Sequence, residues 1–197
     1  MADANRTPRQ QEIIDRTATL IHKGGLGGLT MKAIGGSMGI SDAALYRHFP
    51  TKEALLLGVL DQVAMRILDP LQEILGDHQM TASQRLHRVL AHHMNFVIAS
   101  DGLPILVVAE ASTSGSEAVR ARVATIFGHY FGLLQSLCGE LDLAAKSPDP
   151  ELLAMMFLGL PAAVALRQRV LPDPMIGRRI IDELIPFLLG RLQETER

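Results

Sequence analysis

Apolar residues recur along this chain at the three-to-four spacing of a helix and nowhere alternate as a strand would require. Over residues 8–23, Ile14, Ala18 and Ile21 make one stripe, with Ile13, Thr17 and Leu20 beside it. The run Gly24-Gly25-Leu26-Gly27-Gly28 ends that helix and supplies a corner. Two short helical segments follow, 30–37 and 41–49, separated by a turn at Gly39. A break at Pro50 precedes a longer helix over 51–75, which Pro70 is expected to kink or break. Beyond Gly76 the periodicity predicts five more helices, at 81–99, 103–113, 116–138, 150–170 and 174–192. Asp149-Pro150 and Asp173-Pro174 pair an N-cap with a proline at the first helical position. Ser114-Gly115-Ser116 and Ser147-Pro148 read as connectors. The expected fold is all-α with about nine helices: a three-helix head over residues 1–52 and a helical bundle over 53–197.

Within the head, two helices joined by a short glycine-containing turn are the outline of a helix-turn-helix. Ile34, Met38, Ile40, Leu45 and Phe49 are placed to pin the pair together. Ser41, Asp42, Ala43, Ala44, Tyr46, Arg47 and His48 are left for the outer face, which is the layout of a helix that reads a DNA groove. Thr30, Ser41 and Thr51 stand where N-caps belong, each offering a hydroxyl to unpaired backbone N–H groups. Gly35-Gly36 inside the first of these helices carries a propensity cost of roughly 1 kcal/mol per residue, so the element is either weak or closely packed.

Charge sharpens this picture. The chain as a whole carries −2, but residues 1–52 hold seven basic and four acidic residues, a balance of +3, which leaves −5 for the rest. A basic head on an acidic body suits a nucleic-acid partner. The composition, 48% hydrophobic and 20% charged, fits a soluble globular protein. No basic-then-apolar leader opens the sequence. The longest uncharged apolar stretch, residues 152–166, falls short of the roughly 18–20 residues that cross a bilayer. Cys138 is the single cysteine and reads as a buried thiol in a reducing, cytoplasmic setting.

The run Thr30-x-x-x-Ile34, then Gly39-Ile40-Ser41-x-x-x-Leu45-Tyr46-x-His48-Phe49-x-Thr51-Lys52-Glu53-x-Leu55, resembles the DNA-binding domain of TetR-family transcriptional repressors. Gly35 departs from the alanine usual in that family. The resemblance implies a homodimeric regulator that binds a palindromic operator and answers to a small effector. It also implies that Tyr46, His48 and Lys52 grip the phosphate backbone. Thr30 is placed for phosphate as helix N-termini are. Ala43 and Ala44 are small enough to enter the groove and touch thymine methyls. Arg47 either reads guanine or is a solvated charge; Ser41 contacts DNA or only caps its helix.

Residues 152–166 have no polar side, so they need cover all round. The last helix adds a second apolar stripe. Dimer contacts are therefore expected at Met155, Met156, Leu160, Ile181, Ile185 and Leu188, the two C-terminal helices through which the family pairs. An apolar or amphipathic effector is expected against Met65, Met94, Phe127, Tyr130 and Phe131, with His92, His93, Glu110 and His129 as possible polar partners. The same side chains at helical spacing also serve as ordinary core. His87, His92, His93 and His129 do not fall at metal-ligand spacing, and no catalytic or phosphate-loop motif is present. No catalytic residue, metal or cofactor is expected. A second reading keeps the same head on a DNA-organising protein that responds to another macromolecule.

Overall fold

The computed structural model describes residues 6–25, 27–143 and 147–193, so Leu26 of the glycine-rich corner lies outside it. Helices are α1 (Pro8–Gly24), α2 (Met31–Ser37), α3 (Asp42–His48), α4 (Lys52–Gly76), α5 (Ala82–Ala99), α6 (Leu103–Ser112), α7 (Glu117–Gly139) and α8 (Pro150–Val170). A last rod follows, made of α9 (Ile176–Arg179), a π turn (Ile180–Leu184) and α10 (Ile185–Gln193). Among the described residues that makes nine rods and no strand. Each starts and stops within two residues of the position expected from periodicity, because the signals are local. Thr7 and Thr81 close capping boxes with Gln10 and Gln84, and Asp149 caps α8 ahead of Pro150.

The chain divides into two compact units. The first comprises the chain up to Met65 together with Leu103–Ile126; the second comprises Arg66–Gly102 and the chain from Phe127 onward. In the first unit, α1 buries Ile13, Ile14, Thr17, Ala18 and Ile21 against α2 and α6. Asp61 of α4 is shared by two guanidiniums, Arg6 at 3.3 Å and Arg122 of α7.

In the second unit α5 is the hub. Leu86, Val89, Leu90, His93, Met94 and Val97 form one buried stripe along it, against α8 and the last rod. Phe157 of α8, Leu134 of α7 and Leu189 of α10 are buried in the same unit. Cys138 is buried too, which pushes its thiol up to about 11.

Three prolines, Pro70, Pro161 and Pro186, sit inside helices of this unit, and α5 answers the first and the last. Pro70 does not break α4, which continues from Lys52 to Gly76. A proline lacks the N–H that would bond four residues back, here the carbonyl of Arg66. His92 Nε2 donates to that carbonyl instead, at 3.0 Å. Pro186 stands in the last rod just after a π turn, where backbone N–H groups bond five residues back, as Ile185 does to Ile180. Its missing partner is the carbonyl of Ile181, and His87 Nε2 donates to it at 3.0 Å. The expected continuous helix over 174–192 is thus interrupted by one wide turn.

By length and composition α8 could cross a membrane, at 21 residues and a mean hydropathy of 1.4 over its most apolar window. One side of it, Leu153, Ala154, Phe157, Pro161, Val164 and Ala165, is buried within the chain.

Candidate nucleic-acid interface

Helices α2 and α3 meet through a turn that only a glycine serves easily: Gly39 has φ +66. Ile40 N–H bonds back to the Gly35 carbonyl at 3.0 Å, which draws the turn onto the helix it leaves. A side chain at Gly35 would stand 3.0 Å from the Ile40 carbonyl oxygen, whereas the space beside Gly36 is open. Close packing, not weakness, therefore accounts for the first of the two glycines. Thr30 and Ser41 cap the helices, accepting from Ala33 N–H at 3.0 Å and Ala44 N–H at 3.2 Å. Thr51 does the same for α4 through Ala54 N–H at 3.0 Å. Each such cap contributes about 1 kcal/mol.

Leu45 is fully buried and Phe49, just past the end of α3, nearly so. That anchor leaves Ser41, Ala43, Tyr46 and Arg47 exposed and Ala44 and His48 half-buried. Tyr46 is 47% exposed, a large apolar area for a residue with nothing over it. Arg47 has no hydrogen bond or ion pair among the described residues, so its guanidinium is available to a ligand. The same holds for Lys32 on α2, exposed two residues after the Thr30 cap, which the sequence reading did not single out. Lys52 opens α4 and is half-buried, already engaged with a neighbour.

Two further residues position this surface. Arg16 of α1 donates to the hydroxyl and the carbonyl of Ser37 at 3.0 and 2.9 Å, fixing the end of α2. Gln10 uses its carbonyl oxygen to cap Thr7 and its amide N–H to hold the His48 carbonyl at 3.3 Å, fixing the end of α3. Sequence periodicity places both on the polar side of α1 and gives no sign of these partners.

The residues expected at an effector are dispersed. Met65 falls in the first unit, as does Glu110, while Met94, Phe127, Tyr130 and Phe131 fall in the second. Met94 and Tyr130 are buried; Phe127 is largely exposed and stacks on Phe131, centroids 6.1 Å apart. His129 is exposed, and His92 is committed to the Arg66 carbonyl. An open cavity of about 650 Å³ lies at the C-terminal ends of α5 and α8, beside Val97, Ile98, Gly102, Val164, Ala165 and Gln168. None of the five expected residues lines it.

Along α8, Leu152, Met155, Met156, Gly159, Ala163, Leu166 and Val170 are exposed at helical spacing, with Leu166 and Val170 each 68% accessible. Leu160 of α8 is half-buried; in the last rod Leu184 and Phe187 are exposed, Ile181 and Leu188 are half-buried, and Ile185 faces inward with no accessible surface.

Residues 13–59 match the family described as bacterial regulatory proteins, tetR family. The nucleoid occlusion factor SlmA of Vibrio vulnificus is 26% identical over 163 residues, 81% of this chain and 83% of that one. Among solved structures, the MbdR regulator from Azoarcus sp. CIB superposes with a TM-score of 0.79 at 19% identity, covering 93% of this chain and 98% of that one. FadR from Bacillus subtilis, a transcriptional regulator solved in complex with stearoyl-CoA, gives 0.74 at 18%, covering 92% and 98%.

Proposed function

We propose that this chain, which belongs to the TetR family of bacterial regulatory proteins, is a homodimeric repressor that reads a palindromic operator and is released by a small effector. The observation that carries the DNA-reading part is the outward row of α3, small at Ala43 and Ala44 and polar at Tyr46, Arg47 and His48, fixed from behind by Leu45 and Phe49. Phosphate contacts fall to Thr30, Ser41, Tyr46, His48 and Lys52, with Lys32 added for its exposure. Arg47, without a hydrogen-bond or ion-pair partner among the described residues, is the side chain best placed to reach a guanine edge. Residues 1–52 act as the DNA-binding part and 53–197 as the part that pairs and senses.

Pairing is supported by the uncovered apolar positions of α8 and the last rod, which solvent does not favour leaving bare. A twofold pair would set two copies of α3 about one turn of duplex apart, roughly 34–36 Å. Effector response is supported by the cavity in the second unit and by the fold shared with an acyl-CoA-bound regulator. Coupling would run through α4, a single helix whose residues 52–65 belong to the first unit and 66–76 to the second. Complete release, from 99:1 to 1:99, needs about 10⁴-fold differential effector affinity, roughly 5.5 kcal/mol.

Selection of bound duplexes from a random library at two salt concentrations tests this reading. A palindrome with half-sites one turn apart supports it. Salt-sensitive binding blind to sequence would favour the second reading, a DNA-organising protein, which the similarity to nucleoid occlusion factors keeps in play.

A further inference from the structure

Three of the histidines lie on α5 and two of them are spent on helix carbonyls. The third, His93, is different. It is 2% exposed, and its Nδ1 lies 2.7 Å from the Tyr130 hydroxyl, the two rings meeting edge to face at 5.0 Å. Its Nε2 is buried with no partner among the described residues. The tautomer follows from counting. If Nδ1–H donated to Tyr130, the tyrosine O–H and the bare Nε2 would both be left unpaired. If Tyr130 donates to Nδ1, only the Nε2–H is left. The second arrangement strands fewer buried groups and is the cheaper by one unmade hydrogen bond. What remains is a neutral N–H donor inside an apolar bundle, one helical turn from Val97 on the same stripe of α5. Val97 lines the cavity at the end of that helix.

We propose that His93, held as the Nε2–H tautomer by Tyr130, is the polar anchor of the effector site and receives the carbonyl oxygen of a neutral, otherwise apolar molecule such as a ketone, ester or thioester. The inference rests on the effector reading given above. The cavity is lined by the apolar Val97, Ile98, Val164 and Ala165 and by the charged Asp101, Arg169 and Asp173, and His93 is not among its lining residues. The apolar stretch would take the body of the ligand, and the side chains between Val97 and the enclosed Nε2 would have to part for the oxygen to reach one turn deeper. A neutral acceptor suits a neutral donor, because a carboxylate placed there would have to leave water and draw a proton onto the imidazole. Tyr130 is a positioning residue: it sets which nitrogen carries the proton.

The test is long-range proton–nitrogen NMR on the full chain with labelled histidine, His93 being assigned by loss of its signals in His93→Gln. The probes are methyl ketones of graded length, each beside the alkane and the carboxylic acid of equal length. The expected result is a neutral Nε2–H tautomer in the free chain, whose Nε2 signal moves with a ketone and stays with the alkane. Tyr130→Phe keeps the ring packing, and should mix the tautomers and weaken ketone binding about tenfold. An Nδ1–H tautomer, a ketone response no different from the alkane's across the series, or a stronger response to the acid with protonation of His93 would each overturn the proposal. DNA retention followed on the same samples separates the two claims. Ketones that move His93 without releasing DNA leave the anchor standing and remove the effector-released repressor; release that survives Tyr130→Phe and His93→Gln at unchanged ketone affinity does the reverse.

Discussion

His93 shows how one side chain ties folding to acidity. Burial, with His92 alongside as the lesser cause, holds its imidazole down at about 4, against an ordinary 6.5. Between those values the unfolded chain binds a proton that the folded chain refuses. Stability is therefore full above about pH 6.5, falls as pH drops toward 4, and levels off below that, a difference on the order of 3 kcal/mol. Urea unfolding over that pH range should lose this slope in His93→Phe; an equal slope in the variant would place the acid sensitivity elsewhere. Gly35 and Gly36 make a second contrast. Gly35→Ala gains helix propensity but drives a methyl against the Ile40 carbonyl, and should destabilise the head and weaken DNA binding. Gly36→Ala meets open space and should stabilise by about 0.5 kcal/mol. The sequence marks both glycines as unusual for a helix, but only the fold tells them apart.

At the level of elements, the prolines inside α4 and the last rod are tolerated because histidines of α5 bond the carbonyls that proline leaves bare. His92→Phe should cost about 1 kcal/mol, as should His87→Phe. Each loss should shrink once the matching proline, Pro70 or Pro186, becomes alanine and brings its own N–H. Double-mutant cycles by chemical unfolding measure that coupling, and additive losses would dismiss the surrogate bond. The same pairs mark where sequence reading runs out. Helix positions were legible because periodicity and caps act over a few residues: Thr30, Ser41 and Asp149 lie where the local pattern puts them. The bonds from His92 to Arg66 and from His87 to Ile181 bridge 26 and 94 positions and leave no periodic trace. Pro186 is in plain view in the sequence, yet the wide turn before it depends on a donor from another helix. In the candidate interface, the outward row of α3 was legible for the same local reason. The grip of Arg16 on Ser37 and of Gln10 on His48 was not.

For the molecule as a whole, the apolar positions left bare on α8 and on the last rod decide most. Ile185 turns inward while Phe187 stays 59% exposed beneath the Arg191 guanidinium, 5.8 Å from its ring centroid, so Leu184 and Phe187 join Met155, Met156 and Leu166 as exposed apolar side chains. Met156→Glu should leave the chain folded and make it monomeric in sedimentation at micromolar concentration, with operator affinity falling alongside. A variant that stays paired would put the interface elsewhere. If copies join through these positions, gene dosage becomes part of the mechanism. While most chains are single, twice as much protein gives about four times as many pairs by mass action. A cell that dilutes its contents at division would then pass from silenced to expressed over a narrow span of copy number, with no change in effector at all.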